Sequence, residues 1–208
     1  MKSVQQDDHY GVYQPEVLSF VKAANDLAGW LEQPPATGRQ LVGEALVLLS
    51  EVYSRVHSIA PREPVYEEGI EREVTEQEWA AVYQGIARVL GPANAYLRVA
   101  GAGEYDRSDL VPHTVSEDLA DIYQELRDFI AVYSSGSEDL MNDALLQVTE
   151  AFREHWGKKL LLALSALHDV LVAGDDFILP DADQDIQDQT PDRHGFFSRF
   201  QDQAGEDY

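Results

Sequence analysis

The chain has 208 residues, of which 38 are acidic and 15 basic, and its net charge at pH 7 is −23. This balance argues against nucleic acid and anionic membranes as partners, because phosphate groups are bound by clustered Lys and Arg. The 44% of hydrophobic residues is typical of a folded protein, and the lack of cysteine excludes disulfides and thiolate chemistry. Residues 1–8 lack an apolar secretory core and no apolar run reaches the roughly 18–20 residues of a membrane span, so we expect a cytoplasmic protein.

The first half of the chain predicts helices separated by prolines. Residues 1–14 are polar and are expected to be irregular. Pro15 then opens a helical pattern with one apolar face, and the proline pair at 34–35 ends it. A second amphipathic helix is predicted over about residues 38–58, and a charged loop over 61–74.

A third helix is predicted from a capping box, since Thr75 and Glu78 have the spacing with which each side chain binds the other's backbone N–H. Gly91-Pro92 interrupts this helix. A shorter helix carrying Tyr96-Leu97 is expected next, and residues 101–115 are interpreted as a loop.

Two later helices open with a serine followed by two acids, so Ser116 and Ser137 are the predicted N-caps. At Gly157 the apolar phase shifts by roughly a third of a turn, which indicates either a kink in one long helix or a hinge between two. Residues 158–172 are apolar on almost every side, which predicts a central helix.

No strand pattern is evident, so the predicted fold is all-α, an antiparallel bundle of five to seven helices over residues 15–173. The composition changes after that. Residues 174–208 contain ten acidic and two basic side chains and are predicted to form a disordered acidic tail.

Several segments carry a family resemblance: residues 116–126 (SEDLADIYQEL), 142–145 (NDAL), 155–157 (HWG), 164–168 (LSALH) and, at the N-terminal end, 13–25 (YQPEVLSFVKAAN). These segments resemble a family of bacterial proteins known as domain of unknown function 5063. The resemblance covers about residues 10–172 and implies an all-helical fold. It implies no activity.

Four carboxylates share an arc of about 80° on the helix predicted over 116–133: Asp118, Asp121, Glu125 and Asp128. Asp118 and Glu125 border the apolar face. With Asp143 of the next helix, Asp118, Asp121 and Glu125 are candidate ligands for Mg²⁺ or Mn²⁺ beside a substrate phosphate. The competing interpretation is a solvated helix face with acids placed near the positive end of the helix dipole.

His155, Lys158 and Lys159 form a small basic group in an acidic chain. We expect these side chains to face the acidic helix, either as a structural ion-pair network or as a clamp for an anion. Histidine ligation of a metal is not expected, since neither His-x-x-x-His nor Glu-x-x-His spacing occurs.

Three phenylalanines in the acidic tail, Phe196, Phe197 and Phe200, would line one side of a short helical turn. This pattern predicts a tethered docking segment that binds a groove in a partner or in its own bundle. The alternative is an undocked tail end.

Three functions stay open at this point. The leading hypothesis is a helical protein-interaction domain without catalytic activity or cofactor. The alternative is a Mg- or Mn-dependent hydrolase of phosphorylated small molecules, with the acidic helix as its metal site and the two adjacent lysines as phosphate contacts. The third is an acidic mimic of nucleic acid that would occupy a DNA-binding protein.

Overall fold

The computed structural model describes residues 10–66, 72–99 and 110–174. Its elements in chain order are α1 (Pro15–Glu32), α2 (Gly38–His57), α3 (Glu76–Leu90), a 3₁₀ turn (Gly91–Asn94), β1 (Ala95–Val99), β2 (Leu110–Thr114), α4 (Val115–Tyr133), α5 (Glu138–Ala151), a π-helical turn (Phe152–Trp156) and α6 (Gly157–Ala173). The all-α prediction is confirmed, with a two-stranded antiparallel sheet added to it. None of the helices in these ranges has the length and hydropathy needed to cross a membrane.

Local sequence signals set several helix ends. Pro15 occupies the first turn of α1, where its missing N–H costs no helical hydrogen bond. The capping box of α3 is confirmed, because the Thr75 hydroxyl accepts from the Glu78 N–H at 3.3 Å and the Glu78 carboxylate accepts from the Thr75 N–H at 2.8 Å. Ser137 lies at the N-cap of α5, without a side-chain capping bond.

The prediction that Ser116 caps its helix is wrong. The cap of α4 lies two residues earlier, at Thr114, whose hydroxyl accepts from the Glu117 N–H at 3.3 Å, and the helix begins at Val115. Ser116 lies in the first turn and is fully buried, with its hydroxyl accepting a hydrogen bond from Asn94 at 2.9 Å. Burial against the 3₁₀ turn therefore decides which of two neighbouring hydroxyls acts as the cap.

Helix α4 lies at the centre of the domain. It packs against α1, α3, α5 and α6, while α2 packs against α1 and α6. Fully buried large side chains come from all six helices and the π turn, among them Phe20, Leu27, Leu31, Leu41, Leu49, Ile86, Leu90, Leu119, Ile122, Leu126, Leu145, Trp156, Leu160 and Leu167.

The prediction that residues 158–172 form the central helix is wrong, because α4 holds that position and one side of α6 faces solvent. In α6 the side chains of Leu161, Leu171 and Val172 are 48%, 50% and 70% exposed. A helix that is apolar on nearly all sides lies at the surface here, so part of its apolar area faces solvent.

The helix expected around Tyr96 and Leu97 is also wrong. Both residues lie in β1, where Tyr96 is the register partner of His113 in β2, so part of the predicted 101–115 loop is a strand. Pro92 in the 3₁₀ turn cannot donate a backbone hydrogen bond, which stops α3 from continuing. The Ala-Tyr-Leu-Arg-Val run that follows includes aromatic and β-branched residues that favour strands.

A π-helical turn joins α5 to α6 without a break in the chain's helical path. A π turn holds one more residue than an α turn, so the residues after it are rotated by about 100°. This explains the phase shift predicted at Gly157 as a kink within one long helix. The Gly157 N–H donates to the Phe152 carbonyl, and a Cβ on Gly157 would lie 2.4 Å from that oxygen, so a side chain has no room there.

Candidate functional site

Asp118, the first of the predicted metal ligands, is fully buried where α4 meets the hairpin. One carboxylate oxygen accepts a hydrogen bond from the Tyr96 hydroxyl at 2.5 Å, and the other lies 2.8 Å from Nε2 of His113. Burial, and then the bond to Asp118, raises the pKa of Tyr96 far above its ordinary value. Since Tyr96 and His113 belong to different strands, one carboxylate ties both strands of the hairpin to α4.

Asp121 joins three helices. One of its oxygens accepts a hydrogen bond from the Trp79 indole N–H of α3 at 2.8 Å, and the other forms an ion pair with Lys159 of α6. The Trp79 ring also stacks on Tyr83, with ring centroids 5.4 Å apart. Both oxygens of Asp121 are therefore engaged by donors from neighbouring helices.

Glu125 is mostly buried one turn further along α4, with its side chain 13% exposed. Burial raises the pKa of this carboxyl, and the positive charges of Arg72 and His155 partly oppose the rise. The Arg72 guanidinium lies 3.4 Å from a Glu125 oxygen. His155 is exposed on the π turn, at the edge of the acidic helix.

Two further carboxylates hold the loop between α2 and α3. Asp143 of α5 accepts hydrogen bonds from the backbone N–H groups of residues 65–66, both at 2.8 Å. Asp128 of α4 accepts from the N–H groups of residues 73–74, also at 2.8 Å. Each carboxylate thus supplies an acceptor for two backbone donors that lie outside helices and strands.

The four predicted metal ligands face different parts of the fold: Asp118 the hairpin, Asp121 helices α3 and α6, Glu125 the Arg72 side chain, and Asp143 the loop after α2. In residues 10–66, 72–99 and 110–174, no group of three His, Asp or Glu side chains is placed to hold a metal ion. The solvated-face interpretation is wrong for Asp118 and Asp128, which are buried.

The two adjacent lysines diverge. Lys159 forms a partly buried ion pair with Asp121, whereas Lys158 is exposed and lines a groove between β1 and α6. A shared anion clamp facing the acidic helix is therefore not formed by this pair. Phe196, Phe197 and Phe200 lie outside the described residues.

The groove between β1 and α6 has a volume of about 520 Å³. It is lined by β1 and Ala93 of the preceding 3₁₀ turn, and by one side of α6: Lys158, Leu162, Ser165, Ala166, Asp169 and Val170. At 100° per residue, the exposed Leu161 and Val172 lie beside this stripe. The groove thus combines an apolar lining with two basic side chains, Lys158 and Arg98, and one acid, Asp169.

Sequence reasoning missed this groove because it requires the hairpin. One signal was present in α6, where Lys158, Ser165 and Asp169 fall within about 40° of one another in an otherwise apolar helix. A narrow polar stripe of this kind marks the side of a helix that meets water. The half-buried partners Tyr96, His113 and Trp79 left no comparable signal, since each is far in sequence from its carboxylate or in an unpredicted strand.

Residues 12–173 match the family model described as a domain of unknown function, DUF5063. The chain is also similar to the crystal structure of protein BF1032 from Bacteroides fragilis, with a TM-score of 0.67 and 31% sequence identity. That match covers 76% of this chain and 94% of the other. No curated protein matches the chain. Because the family model spans well over half of its length, the chain belongs to the DUF5063 family.

Proposed function

We propose that this domain is a protein-interaction module without catalytic activity or cofactor, and that the groove between β1 and α6 is its binding surface. The observation that carries the proposal is the groove itself, about 520 Å³ of mainly apolar lining on a helix that exposes further apolar side chains. This volume lies in the range of about 300–1,000 Å³ that binding pockets occupy.

The groove's charges define the ligand. Lys158 and Arg98 line it, and Asp169 lies on α6 about three turns from Lys158. An apolar segment flanked by acidic residues would bury its side chains against Leu97, Leu162 and neighbouring residues while a carboxylate meets the exposed Lys158. The proposed partner is therefore a protein that presents a short apolar segment with acidic flanks.

The hydrolase alternative is less well supported. To share an ion, Asp118, Asp121, Glu125 and Asp143 would each have to leave donors supplied by the fold. The nucleic-acid mimic is less well supported for a related reason, since it needs rows of exposed carboxylates and Asp118, Asp128 and Asp143 are buried.

The binding surface is tested by selecting short random peptides from a display library on the intact protein. Recovered peptides should be apolar or aromatic with acidic neighbours. Ser165→Glu, an exposed change inside the groove, should weaken their binding about tenfold or more. Ser54→Glu, the same change at an exposed position of α2, should leave binding unchanged. Recovery of no peptide, or of peptides insensitive to Ser165→Glu, would contradict the proposal.

The catalytic alternative has its own test, a thermal-shift titration with Mn²⁺ and Mg²⁺. The interaction module should show no stabilisation specific to these ions. A stabilisation present in the wild type and lost in Asp121→Asn would favour the hydrolase.

A further inference from the structure

We infer that the chain's own C-terminal segment around Phe196, Phe197 and Phe200 docks in the groove between β1 and α6 of the same molecule, so that a partner must displace it. This inference rests on the proposed function for the identity of the binding surface and adds its regulation. It commits to one occupant, the tail in an intramolecular contact.

The position of the tail's attachment supports this occupant. The groove follows α6 from Lys158 to Val170, and α6 ends at Ala173, so the chain leaves the domain at one end of the groove. The stretch of α6 that lines it is about 18 Å long at 1.5 Å per residue.

The length of the connecting chain fits that distance. About 22 residues separate Gly174 from Phe196. At about 3.3 Å per residue, about 22 residues can span at most about 70 Å, so the phenylalanines can reach any point along the groove. A tether that matches the span gives an effective concentration in the millimolar range, which makes even a weak contact substantially occupied.

The chemistry of the segment fits the groove's lining. Phe196, Phe197 and Phe200 have the i, i+1, i+4 spacing that gathers side chains on one side of a helical turn. Asp192 and Asp202 flank them and Arg193 and Arg199 lie among them, so the segment carries charges of both signs, as the groove does with Lys158 and Asp169. The segment is thus an apolar sequence with mixed charges beside it, which matches a groove of apolar lining with both a cation and a carboxylate.

The absence of cysteine allows a direct measurement. A spin label on the single cysteine of the full-length Ser198→Cys variant should broaden the amide signals of β1 and of the groove side of α6 to less than half their intensity. Adding Phe196→Ala, Phe197→Ala and Phe200→Ala together should restore them. Phe177→Ala, an equivalent change elsewhere in the tail, should not.

An equal mixture of spin-labelled protein without ¹⁵N and ¹⁵N-labelled protein without the spin label separates the two modes of docking. The expected result is broadening in the protein that carries both the spin label and ¹⁵N, and no broadening in the mixture. Broadening in the mixture would identify a second copy as the occupant and overturn the intramolecular contact. Broadening at another surface, none at all, or loss of the effect in Phe177→Ala would overturn the inference.

The peptides selected on the groove distinguish this inference from the proposed function. If the tail competes, such a peptide should bind the triple alanine variant about tenfold more tightly than the wild type. Equal binding to both proteins would leave the groove as the binding surface and reject the tail as its occupant. Spin-label contact without any selected peptide would support the tail and reject the partner-binding function.

Discussion

The acidic helix α4 and the groove beside α6 use their side chains in opposite ways. The carboxylates along α4 are held by donors of the fold: a tyrosine hydroxyl and a histidine for Asp118, an indole and a lysine for Asp121, and backbone N–H groups for Asp128. The groove is mostly apolar and borders side chains that are half or more exposed, such as Val172. A buried charge must be paired, so paired carboxylates in the interior of a very acidic chain are required by the fold alone. Their number therefore says little about function. Apolar surface that the fold leaves uncovered is the better indicator.

The largest effect that would sharpen this comparison is expected at Asp118. Asp118→Ala should lower the free energy of unfolding by about 3–5 kcal/mol, because it leaves the Tyr96 hydroxyl and His113 without their acceptor in a buried place. Lys158→Ala, in the groove, should change it by less than about 0.5 kcal/mol. Urea denaturation measures both. If both variants lowered the free energy of unfolding by similar amounts, the carboxylates of α4 and the groove would not differ in their importance for stability.

A smaller effect is expected where carboxylates hold the loop between α2 and α3. Asp143→Ala should cost about 2–3 kcal/mol, since it removes an ionised acceptor from two backbone N–H groups. Hydrogen exchange should accelerate at the amides of residues 65–66 and stay unchanged at residues 73–74. Asp128→Ala should give the reverse pattern. Acceleration at both ends in either variant would show that the loop is held as one unit.

The smallest effect is expected at Glu125 and depends on pH. Burial raises the pKa of this carboxyl in the folded protein above its ordinary value of 4.5, so the folded state binds the proton more tightly than the unfolded state does. The stability contributed by Glu125 is therefore complete below about pH 4 and is lost as the pH rises through the raised pKa. Glu125→Gln should raise Tm at about pH 7.5 by no more than about 2–4 °C, and the gain should vanish at about pH 4.

The matched control for that measurement is Glu150→Gln, which changes an exposed carboxylate of α5. Its Tm should differ little from the wild type at either pH. A lower Tm for Glu125→Gln at neutral pH would mean that the attraction to Arg72 outweighs the cost of burying the charge.

Features written in local sequence were predictable, and those that need distant partners were not. Pro15 and the Thr75–Glu78 box act within a single turn, so their signals survive in the folded protein. The hairpin pairs five residues with five others across an intervening segment. No periodic pattern in the local sequence predicts this pairing. The exact cap of α4 depended on the contact between Asn94 and Ser116, which lie 22 residues apart.

The candidate metal site shows the same limit of sequence-based prediction, because the partners of its carboxylates could not be predicted. A helical projection correctly brings Asp118 and Glu125 to the edge of the apolar face. It does not reveal their partners, because many of the donors around α4 and α5 are backbone N–H groups, such as those of residues 65–66 and 73–74. Backbone donors exist at every position except proline, so the sequence alone does not distinguish a carboxylate that stabilises a loop from one that ligates an ion.

The π turn before α6 determines the direction in which the later side chains of the helix point. Its one additional residue rotates all later side chains about the helix axis. These include the two consecutive lysines, which have identical chemistry. With this rotation Lys159 pairs with Asp121 at a partly buried position and Lys158 is presented at the groove. A single-residue deletion in the turn would rotate α6 by about 100° and give Lys159 the direction that Lys158 now has, so which of the two cations meets Asp121 depends on the length of the helix and not on which amino acids it contains.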